Sequence, residues 1–269
     1  MKSLFAKFFQ RTAPGIADLA IPAERLRTLR EDDQFIVSYP RSGNRWLRVM
    51  VRDVIVLNRP DLPPPAELRT LVPDLHHYEP DAAALAQFGV RSRILKSHNL
   101  RAIAGRRWVY IFRRAADALI SFYHFRQKQP LWAEQTKALT ADEFCTEMLP
   151  GWVEHLELAI RQREEFADRT CFVAYEALHA SAAVTLRTTL DFLGIAATDE
   201  VIRGAIEGNA FEKNRAQVAA KPTDGPVPIL RKGRVGTAAE ELRPETLAQI
   251  EAAASPLYQR ANDIAAVRA

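Results

Sequence analysis

Phe35-Ile-Val-Ser-Tyr-Pro-Arg-Ser-Gly-Asn-Arg-Trp46 is the stretch whose reading decides the fold. Its apolar start reads as a strand, Tyr39-Pro40 closes that strand, and Arg41-Ser42-Gly43 turns the chain into an amphipathic helix. A strand, a tight basic turn and a helix N-terminus form an anion site, because free backbone N–H groups and the positive helix end face the turn. The turn differs from the nucleotide-triphosphate loop, which needs Gly-x-x-x-x-Gly-Lys-Ser/Thr. Gly43 is its only glycine and no Lys follows, so the turn suits a single phosphate.

Working outward, the helix after the turn should run from about Asn44 to Leu57. Its apolar stripe is Trp46, Leu47, Met50, Val51, Val54 and Ile55, with Arg45, Arg48 and Arg52 off it. The proline-rich run from Arg59 to Pro65 ends it. Arg93–Lys96, Trp108–Phe112 and Cys171–Tyr175 read as further strands. Thr140-Ala-Asp-Glu143 is a capping box opening a helix. Gly151 is expected to divide that helix from another reaching about Arg163. Ser181–Phe192 reads as a helix closed by Gly194. Strands alternating with helices predict an α/β fold with a central parallel sheet flanked by helices. Ligands of such sheets sit at the carboxyl ends of the strands.

The 269 residues suit one α/β domain. We therefore expect a single domain over 1–269, with 1–30 as an N-terminal extension. Hydrophobic content of 48% and charged content of 26% are those of an ordinary globular chain, and the net charge of +4 favours anionic ligands without singling out nucleic acid. No basic helix interleaved with aromatics marks a nucleic-acid module. Cys145 and Cys171 lack metal spacing and read as buried thiols of a reducing compartment. No apolar run approaches the ~20 residues that span a bilayer. Leu4, Phe5, Phe8 and Phe9 share one helical face near the N-terminus, which packs on the body or rests peripherally on a membrane surface.

The second strand–helix junction extends the pattern. Trp108-Val-Tyr-Ile-Phe112 is followed by Arg113-Arg-Ala-Ala-Asp-Ala-Leu-Ile-Ser121-Phe-Tyr-His-Phe125, and Leu230-Arg-Lys-Gly233 comes late in the chain. In order and spacing these elements, with the first loop, resemble the sulfotransferases that use 3′-phosphoadenosine 5′-phosphosulfate (PAPS). The resemblance implies a P-loop-like fold and in-line transfer of a sulfonate from PAPS to an acceptor hydroxyl or amine, with no metal. It implies that the amides around Ser42, Gly43, Asn44, Arg45 and Trp46 hold the 5′-phosphate, with Arg41 beside the bridging oxygen. Arg113 and Ser121 would hold the 3′-phosphate. Arg231, Lys232 and Gly233 would complete the site from a basic flap, 221–237. Trp46, Tyr175 and Phe211 would contact the adenine.

His98, in Leu95-Lys-Ser-His98, resembles the family's base, and Lys96 the lysine that assists near the sulfonate. A histidine titrating near neutrality suits proton transfer. The chain departs from the family pattern where Arg41 replaces a Lys and Asn44-Arg45 replaces two threonines. Arg114 stands where an Asn is usual and is a second candidate phosphate ligand. His124 reads as structural, and His76-His77 as part of a loop lining the acceptor pocket. The resemblance implies a cytoplasmic enzyme acting on a small-molecule, carbohydrate or lipid-headgroup acceptor. Two alternatives accompany it: a nucleotide or metabolite kinase on the same fold, and a phosphonucleotide-binding relative without catalysis.

Overall fold

The computed structural model describes residues 21–64, 68–77, 86–130, 132–209 and 233–267. Four strands form one parallel sheet in the order β2-β1-β3-β4. They are β1 (Gln34–Val37), β2 (Ile94–Ser97), β3 (Arg107–Phe112) and β4 (Thr170–Ala174). The predicted strands are all present, displaced by about one residue; Tyr175 opens a helix rather than ending β4.

Seven helices position the site: α1 (Asn44–Leu57), α2 (Ala115–Arg126), α3 (Ala141–Glu165), α4 (Tyr175–Ala180), α5 (Ala182–Leu193), α6 (Asp199–Gly208) and α7 (Pro244–Ala266). The strand period of two divides the core cleanly. Phe35, Val37, Trp108, Tyr110, Phe112 and Phe172 pack under α2, α3 and α7. Ile36, Val109, Ile111, Cys171 and Val173 pack under α1, α5 and α6. Both faces of each strand are therefore buried, as a parallel sheet between helix layers requires.

The predicted start and end of α1 hold, and Gly194 closes α5 with φ of 71°. Arg48 departs from its expected exposed place: it is buried and donates to the Val72 carbonyl at 2.9 Å. The expected break at Gly151 is also absent. Helix α3 opens on the Thr140–Glu143 capping box and runs unbroken through Pro150 and Gly151. Phe144, Cys145, Met148, Trp152, Leu156 and Ile160 carry one buried stripe across that point, while Pro150 faces solvent. Continuous packing here outweighs local helix propensity.

Both cysteines are buried and neither forms a disulfide, and burial pushes the Cys145 thiol up to about 12. Among the described residues no helix is long and apolar enough to cross a membrane. The N-terminal stretch with Leu4, Phe5, Phe8 and Phe9 lies outside the described residues.

Candidate active site

The described candidate residues lie at the carboxyl ends of the strands: Arg41 to Trp46 after β1, Lys96 and His98 at the end of β2, Arg113 and Ser121 after β3 and Tyr175 after β4, with Gly233 late in the chain. The loop after β1 is bent by two left-handed residues, Arg41 at φ 67° and Gly43 at φ 96°. A Cβ on Gly43 would lie 2.5 Å from Tyr175 Cδ2, so only glycine lets this turn pass under the ring. The bent backbone forms a concavity with the start of α1 below it. Ser42 is fully buried, and its Oγ finds no hydrogen-bond partner among the described residues. Asn44 Nδ2 donates to the Ile36 carbonyl at 3.2 Å, while Asn44 Oδ1 likewise lacks a partner. Arg45 and Trp46 follow, both half-buried on the first turn of α1.

The residues expected at the 3′-phosphate stand beside this loop. Arg113, at the end of β3, is 6% exposed although it is an arginine. It donates to the carbonyls of Arg41 at 3.3 Å and Arg234 at 3.1 Å, and its guanidinium lies 4.3 Å from the Tyr175 ring centre. Its Nε has no hydrogen-bond partner among the described residues. Arg41 Nε donates to Ser121 Oγ at 3.3 Å, and its guanidinium stacks over Phe125 at 4.9 Å. The Arg41 side chain thus reaches α2, the element expected to hold the other phosphate. Arg114 turns away to Tyr258 and Glu176, out of the group around Arg113.

The end of the expected flap is ordered against this group. Gly233 has φ of 61°, and Asp117 on α2 accepts from the amides of Gly236 at 2.7 Å and Ala238 at 3.0 Å. Trp46 and Tyr175 lie 6.0 Å apart, edge to face, with the exposed ring of His179 4.8 Å from each. His179 was not singled out in the sequence; its place one helical turn after Tyr175 is the only signal for it. Phe211, Arg231 and Lys232 lie outside the described residues.

His98 follows β2, on the far side of the loop from Arg113. Its Nδ1 bonds the Ser38 carbonyl at 2.7 Å. A carbonyl can only accept, so Nδ1 carries the proton and Nε2 is the basic nitrogen. Burial drives the His98 pKa well below the usual imidazole value, and Lys96 and His76 push the same way. This differs from the near-neutral titration expected from sequence, because that expectation assumed a more open site. The ring is neutral at physiological pH, the form a base requires.

Lys96 is buried and bonds Asp74 at 2.7 Å. Burial lowers the Lys96 pKa, and Asp74 partly offsets that. Burial pushes Asp74 up, but Lys96, Arg48 and His76 outweigh it and hold the carboxylate well below its usual range. Asp74 had no place in the sequence reading. It sits on a short segment bridged to β2, with Lys96 N donating to Pro73 O at 2.8 Å and Leu75 N to Lys96 O at 3.0 Å. His76, on the same segment, accepts from the His98 amide at 2.9 Å through Nε2. His124 bonds Glu241 at 2.5 Å. No cluster of metal-ligating side chains occurs among the described residues.

A fold with these features has known relatives. The family model for the sulfotransferase domain matches residues 31–261, and the chain belongs to that family. Sulfotransferase 6B1 of Mus musculus is 27% identical over 236 residues, covering 77% of this chain and 70% of its own. Cytosolic sulfotransferase 16 of Arabidopsis thaliana is 24% identical over 254 residues, covering 82% and 75%. Among solved structures, a mouse sulfotransferase complexed with PAP (the 3′-phosphoadenosine 5′-phosphate left when PAPS gives up its sulfonate) has a TM-score of 0.62. It is 19% identical, over 87% of this chain and 88% of that one. Retinol dehydratase in a complex with retinol and PAP also has a TM-score of 0.62, at 20% identity over 87% and 85%. These structural likenesses establish a shared fold.

Proposed function

We propose that this chain transfers a sulfonate group from PAPS to a small-molecule acceptor bearing a hydroxyl or amine, with His98 as general base. The observation that carries the reading is a neutral imidazole fixed beside a bent loop that buries Ser42 Oγ without a partner among the described residues. PAPS would supply the sulfonate and a phosphate leaving group. The residues present fit it: the Ser42 hydroxyl, able to donate, is buried in the bent loop without a partner among the described residues, and Arg113 beside the loop adds fixed positive charge. Ser121, through Arg41, and Tyr175, with Trp46 beside it, border the same loop.

In this reading His98 Nε2 takes the acceptor's proton as the acceptor oxygen or nitrogen forms its bond to sulfur. Lys96 stands two residues before His98 in a buried ion pair, and with Arg41 it offsets negative charge on the transferring group. Binding of PAP by two fold relatives supports the donor, and the retinol and androsterone held by retinol dehydratase support a small acceptor. A cytoplasmic location belongs to the same proposal, supported by the likeness to Cytosolic sulfotransferase 16. The kinase alternative is not favoured, since Asn44 and Arg45 stand where that chemistry places a lysine and a hydroxyl.

Calorimetric titration with PAP, set against ADP, tests the donor site. We expect PAP to bind at least ~10-fold more tightly, the order of one lost charge-assisted contact set. Equal affinity, or a preference for ADP, would overturn the assignment of the 3′-phosphate site.

A further inference from the structure

Beneath the candidate base lie two polar rings that the reaction itself does not call on. Tyr110 of β3 and His155 of α3 are 1% and 2% exposed, within the same core cluster as Phe35 and Trp108 or packed against it. Buried polar groups of this kind need partners, and the partners here are directional. Tyr110 Oη lies 2.7 Å from His155 Nδ1, and His155 Nε2 lies 2.7 Å from the carbonyl oxygen of His98. The carbonyl can only accept, so the His155 proton sits on Nε2. Nδ1 is then bare and accepts from the Tyr110 hydroxyl. Burial lowers the His155 pKa to about 4, so the ring stays neutral and the direction of both bonds is kept near neutral pH.

The other end of this chain lies against the donor loop. Tyr110 stands opposite Val37, two residues before Tyr39, in the β1–β3 ladder, and the Tyr39 ring stands edge-on to His155 at 5.9 Å. Tyr39 opens Tyr39-Pro-Arg-Ser-Gly43. A hydrogen-bonded path therefore runs from Tyr110 through His155 to the His98 carbonyl, with the Tyr39 ring packed against its middle. Across the same peptide, the His98 amide is held by His76, and its ring by the Ser38 carbonyl.

We infer that Tyr110 and His155 are positioning residues, a directed hydrogen-bond relay that fixes the His98 backbone relative to the donor loop. The inference rests on the reading of His98 as base. Small displacements of a reacting group cost turnover steeply, and this relay opposes such displacement without touching substrate.

Two ring-preserving variants and one rescue test it. Tyr110→Phe removes the hydroxyl, His155→Phe removes both nitrogens, and His155→Gln restores a donor near the Nε2 position. We expect the two phenylalanine variants to lose about tenfold or more in kcat, within the range a misplaced group costs. Their Kd for PAP should stay within about twofold, and His155→Gln should recover most of the lost kcat. Unchanged kcat in both phenylalanine variants would overturn the relay. Losses in His155→Gln equal to those in His155→Phe, or kcat and PAP affinity falling together with melting temperature, would reduce the pair to core packing.

Nitrogen NMR of labelled histidine reads the relay without turnover: wild-type His155 should carry its proton on Nε2. A proton on Nδ1 would overturn the relay, whereas full turnover in His98→Ala would remove the base reading and leave the tautomer result standing.

Discussion

The two halves of the site meet their polar groups in opposite ways. At the end of β2, His98, Lys96, Asp74 and His76 satisfy one another: each functional atom but the basic nitrogen has a protein partner. At the end of β1, the donor loop buries Ser42 Oγ and Asn44 Oδ1 with none among the described residues, and Arg113 Nε nearby is the same. A buried polar atom without a partner costs about 1–3 kcal/mol, so an anion accepting from Ser42 Oγ and Arg113 Nε would be favoured here. The base corner is complete in the protein alone. The difference separates preorganised chemistry from binding, and it predicts that substitutions in the two regions will move different kinetic quantities.

The largest expected effect belongs to the base corner. His98→Ala should lower turnover by ~100-fold or more, the usual scale for a positioned base. PAP affinity, read by calorimetry, should barely change. Turnover near that of the unsubstituted protein would remove His98 from the chemistry, and a parallel loss of PAP affinity would erase the division between the two halves.

Gly43→Ala strikes the other half. Its left-handed φ of 96° costs an L-residue about 1–2 kcal/mol, and the new methyl meets Tyr175 Cδ2 at 2.5 Å. Tyr175 lies against both Arg113 and Trp46, so the displacement spreads through the residues proposed to hold the nucleotide. We expect about tenfold weaker PAP binding, in step with that strain, and a lowered melting temperature. Turnover at saturating PAPS should fall much less than in His98→Ala. Undiminished PAP affinity would show that the bent loop is not the anion site.

The division also explains what could be read from sequence. The donor loop is contiguous: strand, turn and helix start lie within Phe35–Trp46, and each residue type has a local backbone reason to be there. Arg113 and His98, each at the end of a short apolar strand, were singled out by their resemblance to the family's motifs. Asp74 was not, because it joins Lys96 only through a bridge between a loop and β2, and no period or motif connects the two. His155 is hidden differently: a lone histidine in the buried stripe of α3 looks like ordinary core until its partners are known. The Gly151 error has the same root, since Pro150 and Gly151 signal a break locally while the packing around them is continuous. Arg41 shows the limit of motif matching, for its side chain reaches Ser121 rather than standing apart from the 3′-phosphate element.

The smallest predicted effect tests whether the base corner is as self-sufficient as its hydrogen bonds indicate. Asp74→Asn keeps shape and removes the charge that stabilises the Lys96 ammonium. Burial already lowers the Lys96 pKa, and the Asp74 carboxylate is what raises it. Removing that charge must therefore lower the Lys96 pKa further, so the ammonium is lost at a lower pH than in the unsubstituted protein. If protonated Lys96 assists transfer, the alkaline limb of the kcat–pH profile moves toward neutrality. Turnover at pH 6 to 7 should drop only a few-fold, and PAP affinity should not move, because the pair lies outside the donor loop. An alkaline limb that stays in place would mean that Lys96 keeps its proton without Asp74, or that its charge does not enter the transfer step. Weakened PAP binding would instead join the two halves into one unit, with the ion pair reaching across β1 to the anion loop.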